Sequence, residues 1–241
     1  MARSRARNLQ REGRLTLDLE GHAIPLVVRR NPRARRLTLT IDSENDGAIV
    51  TIPARVPLEE ALDMARSRAR WILSRLEALP PRVPFVDGAC VPYLGTTALI
   101  RQDPIGRRPV YFDDGNIYVS GRPEHLARRV RDWYKAEARR HISGLAAEKS
   151  TLIERTVTRI TLRDPRSRWG SCTTDGRLSF SWRLMMMPEW VLDYIVAHEV
   201  AHLVAMNHGP RFWRTVEKLT ADHRRANAWL KSQGNDVHRY G

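Results

Sequence analysis

The chain has 241 residues, 42% of them hydrophobic and 28% charged, with a formal net charge of +14. That length supplies one large core or two smaller ones, and the absence of both a bilayer-length apolar run and a secretory-type apolar start leads us to expect a cytoplasmic protein with no membrane partner. Two cysteines, Cys90 and Cys172, cannot build a four-thiolate site, so any metal must be held mostly by histidine and carboxylate.

The chain opens on an arginine-rich run over residues 1–14, and arginine outnumbers lysine 37 to 4 overall. A surface so basic attracts polyanions through long-range fields, which makes nucleic acid a candidate partner. Leu15, Leu17 and Leu19, and again Leu37, Leu39 and Ile41, alternate as half-buried strands do, punctuated by Gly21 and by Asn31-Pro32. Another strand is expected over 47–53. Pro57 then suits a first helical turn, and Leu58, Leu62, Ala65, Ala69, Ile72 and Leu76 recur at helical spacing up to Pro80-Pro81. Short strands are expected around 93–101, 109–112 and 116–120.

From about residue 122 the period changes. Leu126, Val130, Trp133, Ala136 and Ile142 fall near one face of a long helix running to about residue 149. Strands over 156–163 and 177–182 flank a polar turn at 173–176, and helices follow near 189–205, 210–220 and 222–233. The reading is an α+β protein, with a β-rich domain over 1–121 and a helical domain over 122–241 that carries the chemistry.

The chemistry is concentrated in His198-Glu199-Val200-Ala201-His202, inside the helix expected over 189–205. Positions four apart lie one turn apart on the same face, so both imidazoles can address one ion, while Glu199 sits about 100° round the helix, within reach of a water on that ion. A bend at Asn207, a residue type that tolerates left-handed backbone angles, would bring His208 back over the same point. Three neutral imidazoles leave one tetrahedral position of a zinc ion to water. Glu217 and His223 are the alternatives for the third ligand.

The stretches 167–172 (SRWGSC), 177–184 (RLSFSWRL) and 194–213 (YIVAHEVAHLVAMNHGPRFW) resemble the YgjP-like metal-dependent hydrolases, a zincin-type metallopeptidase group. Looser similarity extends into 25–39 and 85–95. The resemblance implies a zincin-like C-terminal metallopeptidase core, one zinc ion on His198, His202 and His208, Glu199 as catalyst and a polypeptide as substrate. In ligand spacing the chain is similar to the WLM and SprT-like peptidases and to the metzincins. It departs from the metzincins at Ala205, where they carry glycine, and in having no methionine turn after the third histidine; Met185, Met186 and Met187 read as core packing.

Arg168 and Tyr194 are candidates for holding an oxyanion as it develops. In the other reading of 167–172, Trp169 anchors the core. The strand at 177–182 is a candidate edge for an extended substrate. Two further function classes stay open: a nucleic-acid-associated module whose zinc is structural or vestigial, and a zinc hydrolase of non-peptide amides.

Overall fold

The computed structural model describes residues 10–42, 45–166 and 168–241. The first nine residues of the basic run and Ser167 lie outside the described residues. Contacts divide the chain into two units, Met1–Pro80 and Pro81–Gly241. With 42% helix and 27% strand in mixed sheets, the protein is α+β.

The first unit is a four-stranded sheet in the order β1-β2-β4-β3, formed by β1 (Gln10–Leu19), β2 (His22–Arg30), β3 (Thr38–Asp42) and β4 (Gly47–Ile52). Strand β2 has no alternating pattern. It carries the continuous run Leu26, Val27 and Val28, all buried, and pairs in parallel with β4, so periodicity could not announce it. The helix expected after Pro57 is two helices, α1 (Leu58–Ser67) and α2 (Ala69–Glu77). The break is at Arg68, which leaves helical geometry while its N–H donates to the Ala65 carbonyl. Both helices still bury one face, with Ala61, Ala65 and Ile72 against Leu26, Val50 and Ile52.

In the second unit, β5 (Cys90–Tyr93), β6 (Thr96–Asp103), β7 (Val110–Asp113) and β8 (Asn116–Ser120) form a sheet ordered β5-β6-β8-β7. Its inward residues Val91, Ile100 and Ile117 share a core with α3 (Leu126–Leu152), through Val130, Tyr134 and Ile142. The sequence reading grouped this sheet with the N-terminal strands and divided the chain after residue 121. Packing places the division at Pro80-Pro81 instead, because the apolar face of α3 is buried on these very strands.

A three-stranded sheet follows, ordered β10-β11-β9, from β9 (Arg159–Arg163), β10 (Gly170–Cys172) and β11 (Arg177–Ser181). The polar turn at 173–176 joins β10 to β11, while β9 pairs with β11 in parallel. Strand β11, expected at an edge, is therefore central. The remaining helices are α4 (Glu189–Ala201), α5 (Pro210–Leu219) and α6 (His223–Gln233). Met185, Met186 and Met187 are buried in the same core, as expected.

Two buried cations brace this unit. Lys149 of α3, 4% exposed, places its Nζ 2.6 Å from Asp193 on α4 and donates to the Leu219 carbonyl at the end of α5. That one ammonium ties three helices and meets the negative end of a helix dipole. Arg183 grips Asp164 with two nitrogens, at 2.7 and 3.2 Å, stacks over Trp182, and donates to the carbonyls of Val237 and Tyr240. Removing one partner of a buried ion pair strands the other charge. Lys149→Ala is expected to lower the stability of this unit by about 3 kcal/mol. Urea unfolding followed by tryptophan fluorescence checks it, and an unchanged midpoint would refute the brace.

Candidate metal centre

Helix α4 is apolar on every face, so it lies inside the unit and not on its surface. Its charged or ionisable exceptions are Glu189, Asp193, His198 and Glu199, with Tyr194 among them and His202 at its C-cap. The helix then tightens: Leu203 and Val204 donate their N–H groups to the carbonyls three residues back, Val200 and Ala201. This 3-10-type turn carries the chain round to His208. Asn207, expected in a left-handed conformation, is not among the positive-φ residues. Pro210 opens α5 at its first turn, as its fixed φ favours.

These elements bring His198, His202 and His208 together, with one ring nitrogen from each lying within 4.8 Å of the other two. Neither Glu217 nor His223 joins them. The Nε2 atoms of His198 and His208 are 3.2 Å apart. Two nitrogens on one tetrahedral zinc, each at 2.0 to 2.1 Å, would stand about 3.3 Å from each other. His202 is oriented from behind, its Nδ1 lying 3.1 Å from the Ala205 carbonyl, which as acceptor fixes the proton there and leaves Nε2 with a free lone pair. Beneath them, the fully buried ring of Phe212 lies 4.9, 4.6 and 4.7 Å from the three imidazoles.

Burial sets the protonation states. It pushes the His198 pKa down to about 4, assisted by His202 and His208, and lowers that of His202. Both rings are thus held neutral with lone pairs available, as a metal ligand requires. Glu199 is 6% exposed, and burial raises its carboxyl to about 7 against the opposing charge of Arg168.

Glu199 has a neighbour the sequence did not reveal. A Cβ on Gly170 would fall 2.5 Å from the Glu199 Cγ and 2.6 Å from Oε1, so β10 approaches the carboxylate as only glycine permits. In the motif at 167–172 two side chains have separate surroundings. Arg168 is exposed yet close enough to act on the charge of Glu199, while Trp169 packs on the core and stacks on His238 at 5.0 Å. Tyr194 packs edge-on to His198, and its hydroxyl accepts from Asn227 Nδ2 at 3.3 Å. Cys172 lies outside the ligand cluster, and burial raises its thiol to about 11.

A profile described as the YgjP-like metallopeptidase domain matches residues 35–233, which includes all three histidines, Glu199 and both sheets of the second unit. The chain belongs to the YgjP-like metallopeptidase family. As a YgjP-like protein it is a metal-dependent peptidase in the general sense, with a metal ion as cofactor and polypeptide as substrate. Among solved structures, it is similar to the crystal structure of the metallopeptidase zymogen of Pyrococcus abyssi abylysin, at 21% identity and a TM-score of 0.34, over 38% of this chain and 95% of that one. No curated protein matches the chain. No helix among the described residues is long and apolar enough to cross a membrane.

The contact at Gly170 gives a direct prediction. Gly170→Ala must displace Glu199 or β10, and overpacking of this kind costs about 1–3 kcal/mol. Thermal unfolding by circular dichroism should show a lower midpoint, and one equal to the parent's would mean that the strand has room to move.

Proposed function

We propose that this YgjP-like protein is a zinc peptidase in which His198, His202 and His208 hold a single ion and Glu199 is the general base. The observation that carries the reading is the convergence of three ring nitrogens within 4.8 Å, on rings shared by one aromatic floor, with a buried carboxylate on the intervening residue. Neutral nitrogen donors and an absence of thiolate favour zinc with an open position over a closed structural site.

Zinc, when bound, supplies a Lewis acid that lowers the pKa of water towards 7 and draws charge from a carbonyl oxygen. Glu199 takes one proton from the attacking water as its oxygen bonds to the peptide carbon. The same carboxylic acid then delivers that proton to the departing nitrogen as the C–N bond breaks, so the residue ends as it began. Gly170, having no side chain, leaves the carboxylate room at this position. Arg168 and Tyr194 are assigned the developing oxyanion. Arg168 brings an exposed guanidinium, and Tyr194 brings a hydroxyl that accepts from Asn227 and so keeps its own proton to donate.

Two experiments test this. Glu199→Gln, an isosteric change that removes the base, should keep one zinc per chain by elemental analysis and lose about 1,000-fold in kcat/KM on an unstructured protein substrate. Parent-like turnover with zinc bound would sink the mechanism. Binding that favours the folded state also raises its stability. Chelation should therefore lower Tm by about 5–10 °C, and alanine at His198, His202 or His208 should abolish the zinc-dependent part of that shift. A shift that survives all three substitutions would place the ion elsewhere.

A further inference from the structure

A cavity lies beside His202. Strand β10 lies beside α4, with Gly170 against Glu199, and the turn that follows β10 approaches the loop that follows His202. Between them is a cavity of about 490 Å³, lined by Leu203, Val204 and Met206 from the loop and by Thr173 and Asp175 from the turn, with His202 in its wall. A second cavity of about 510 Å³ lies between α3 and the start of β9. Arg155 and Thr156 line both, so the two cavities adjoin at these residues and make a groove whose His202 end is nearest the metal centre.

The chemistry of the groove changes along its length. Near His202 it offers apolar surface from Leu203 and from Met206, which is 48% exposed. Farther out, Arg155, Arg139 and Arg159 are joined by Ser143, Ser150 and Thr151, and no acidic side chain lines that part. None of these arginines has a carboxylate partner among the described residues. Arg139 donates to the Ile160 carbonyl and Arg155 to that of Glu154. Asp175, the acid of the near cavity, is already held by Arg177 at 2.7 Å. Three unpaired guanidiniums in one groove attract carboxylates, which they bind in planar, two-pronged fashion.

We infer that this groove selects polypeptide substrates carrying an acidic segment on one side of the scissile bond, with an apolar residue nearest the metal centre and Asp or Glu beyond it facing Arg155, Arg159 and Arg139. The inference rests on the peptidase reading and adds the class of substrate. Its electrostatic part weakens as salt screens the partly exposed charges.

The test uses fluorescent peptides sharing one neutral cleavage sequence, extended on either side by Asp, Ala or Lys residues. Anisotropy titrations of the zinc-loaded, full-length Glu199→Gln protein should show one Asp extension binding about ten-fold tighter than its Ala counterpart at low salt, and the Lys extension weaker than Ala. Arg155→Glu with Arg159→Glu should erase or reverse that order. If this pair lowers Tm, Arg155→Gln with Arg159→Gln is used in its place and should erase the preference. Equal affinity for all three extensions, or a preference that survives charge reversal, overturns the proposal. Tighter binding of a single-stranded oligonucleotide of equal charge does so too, by assigning the groove to nucleic acid. Cleavage of the Ala peptide by the parent, scored in parallel, separates the two readings: lack of cleavage there counts against the peptidase, whereas cleavage without acidic preference counts against the groove alone.

Discussion

Everything at the site follows from the burial of helix α4 on all its faces. A helix closed in by Val191, Leu192, Ile195, Val196 and Val200 leaves little water for the polar side chains of its inner turns, so those groups must find a partner inside the protein or a ligand. Asp193 finds Lys149, and His202 finds the Ala205 carbonyl. His198 has no such partner at Nδ1, and its Nε2 faces another imidazole. The proposed zinc, shared by these rings, is an answer to a desolvation that the apolar packing imposes. The same packing keeps Glu199 from ionising as readily as an exposed carboxylate would, and Gly170 leaves it just enough room to stand there.

The second constraint is the tying together of elements distant in the chain. Phe212 arrives from α5 to underlie all three imidazoles, and α5 is held to α4 by a single ammonium from α3. Ligand geometry thus depends on helix packing some way from the rings. A buried ionic tie of this sort contributes little net stability over a well-packed apolar substitute, but it is costly to break halfway. That makes it suited to fixing where helices meet more than to holding the unit together.

What was legible in the sequence was what local periodicity and local spacing encode. The zinc-type motif needs only helical geometry, and α3, α4, α5 and α6 announce themselves by their apolar stripes or runs; the packing role of the three methionines followed as well. What was not legible required knowledge of partners. Strand β2 is buried through a continuous apolar run and so lacks alternation, and β10 is three residues long, too short for any pattern. The parallel pairing of β9 with β11 moved the expected edge strand to the centre of its sheet, because register and order are set by long-range contact. The turn to His208 was expected at Asn207, and Asn207 does lie in the bend, but without a left-handed angle and after a helix end that has tightened its own hydrogen bonds. Gly170 stands within the stretch 167–172, but nothing in a single sequence names the side chain it stands against.

The residues near the end of the chain have a reach greater than their position implies. Arg183 clasps the carbonyls of Val237 and Tyr240, and His238 between them stacks on Trp169, the immediate neighbour of Gly170. Loss of the segment 234–240 would therefore take away the ring on which Trp169 stacks, next to the short strand beside Glu199, without touching any of the three histidines. A few residues remote in sequence from the histidines thus help to seat the strand that stands against Glu199.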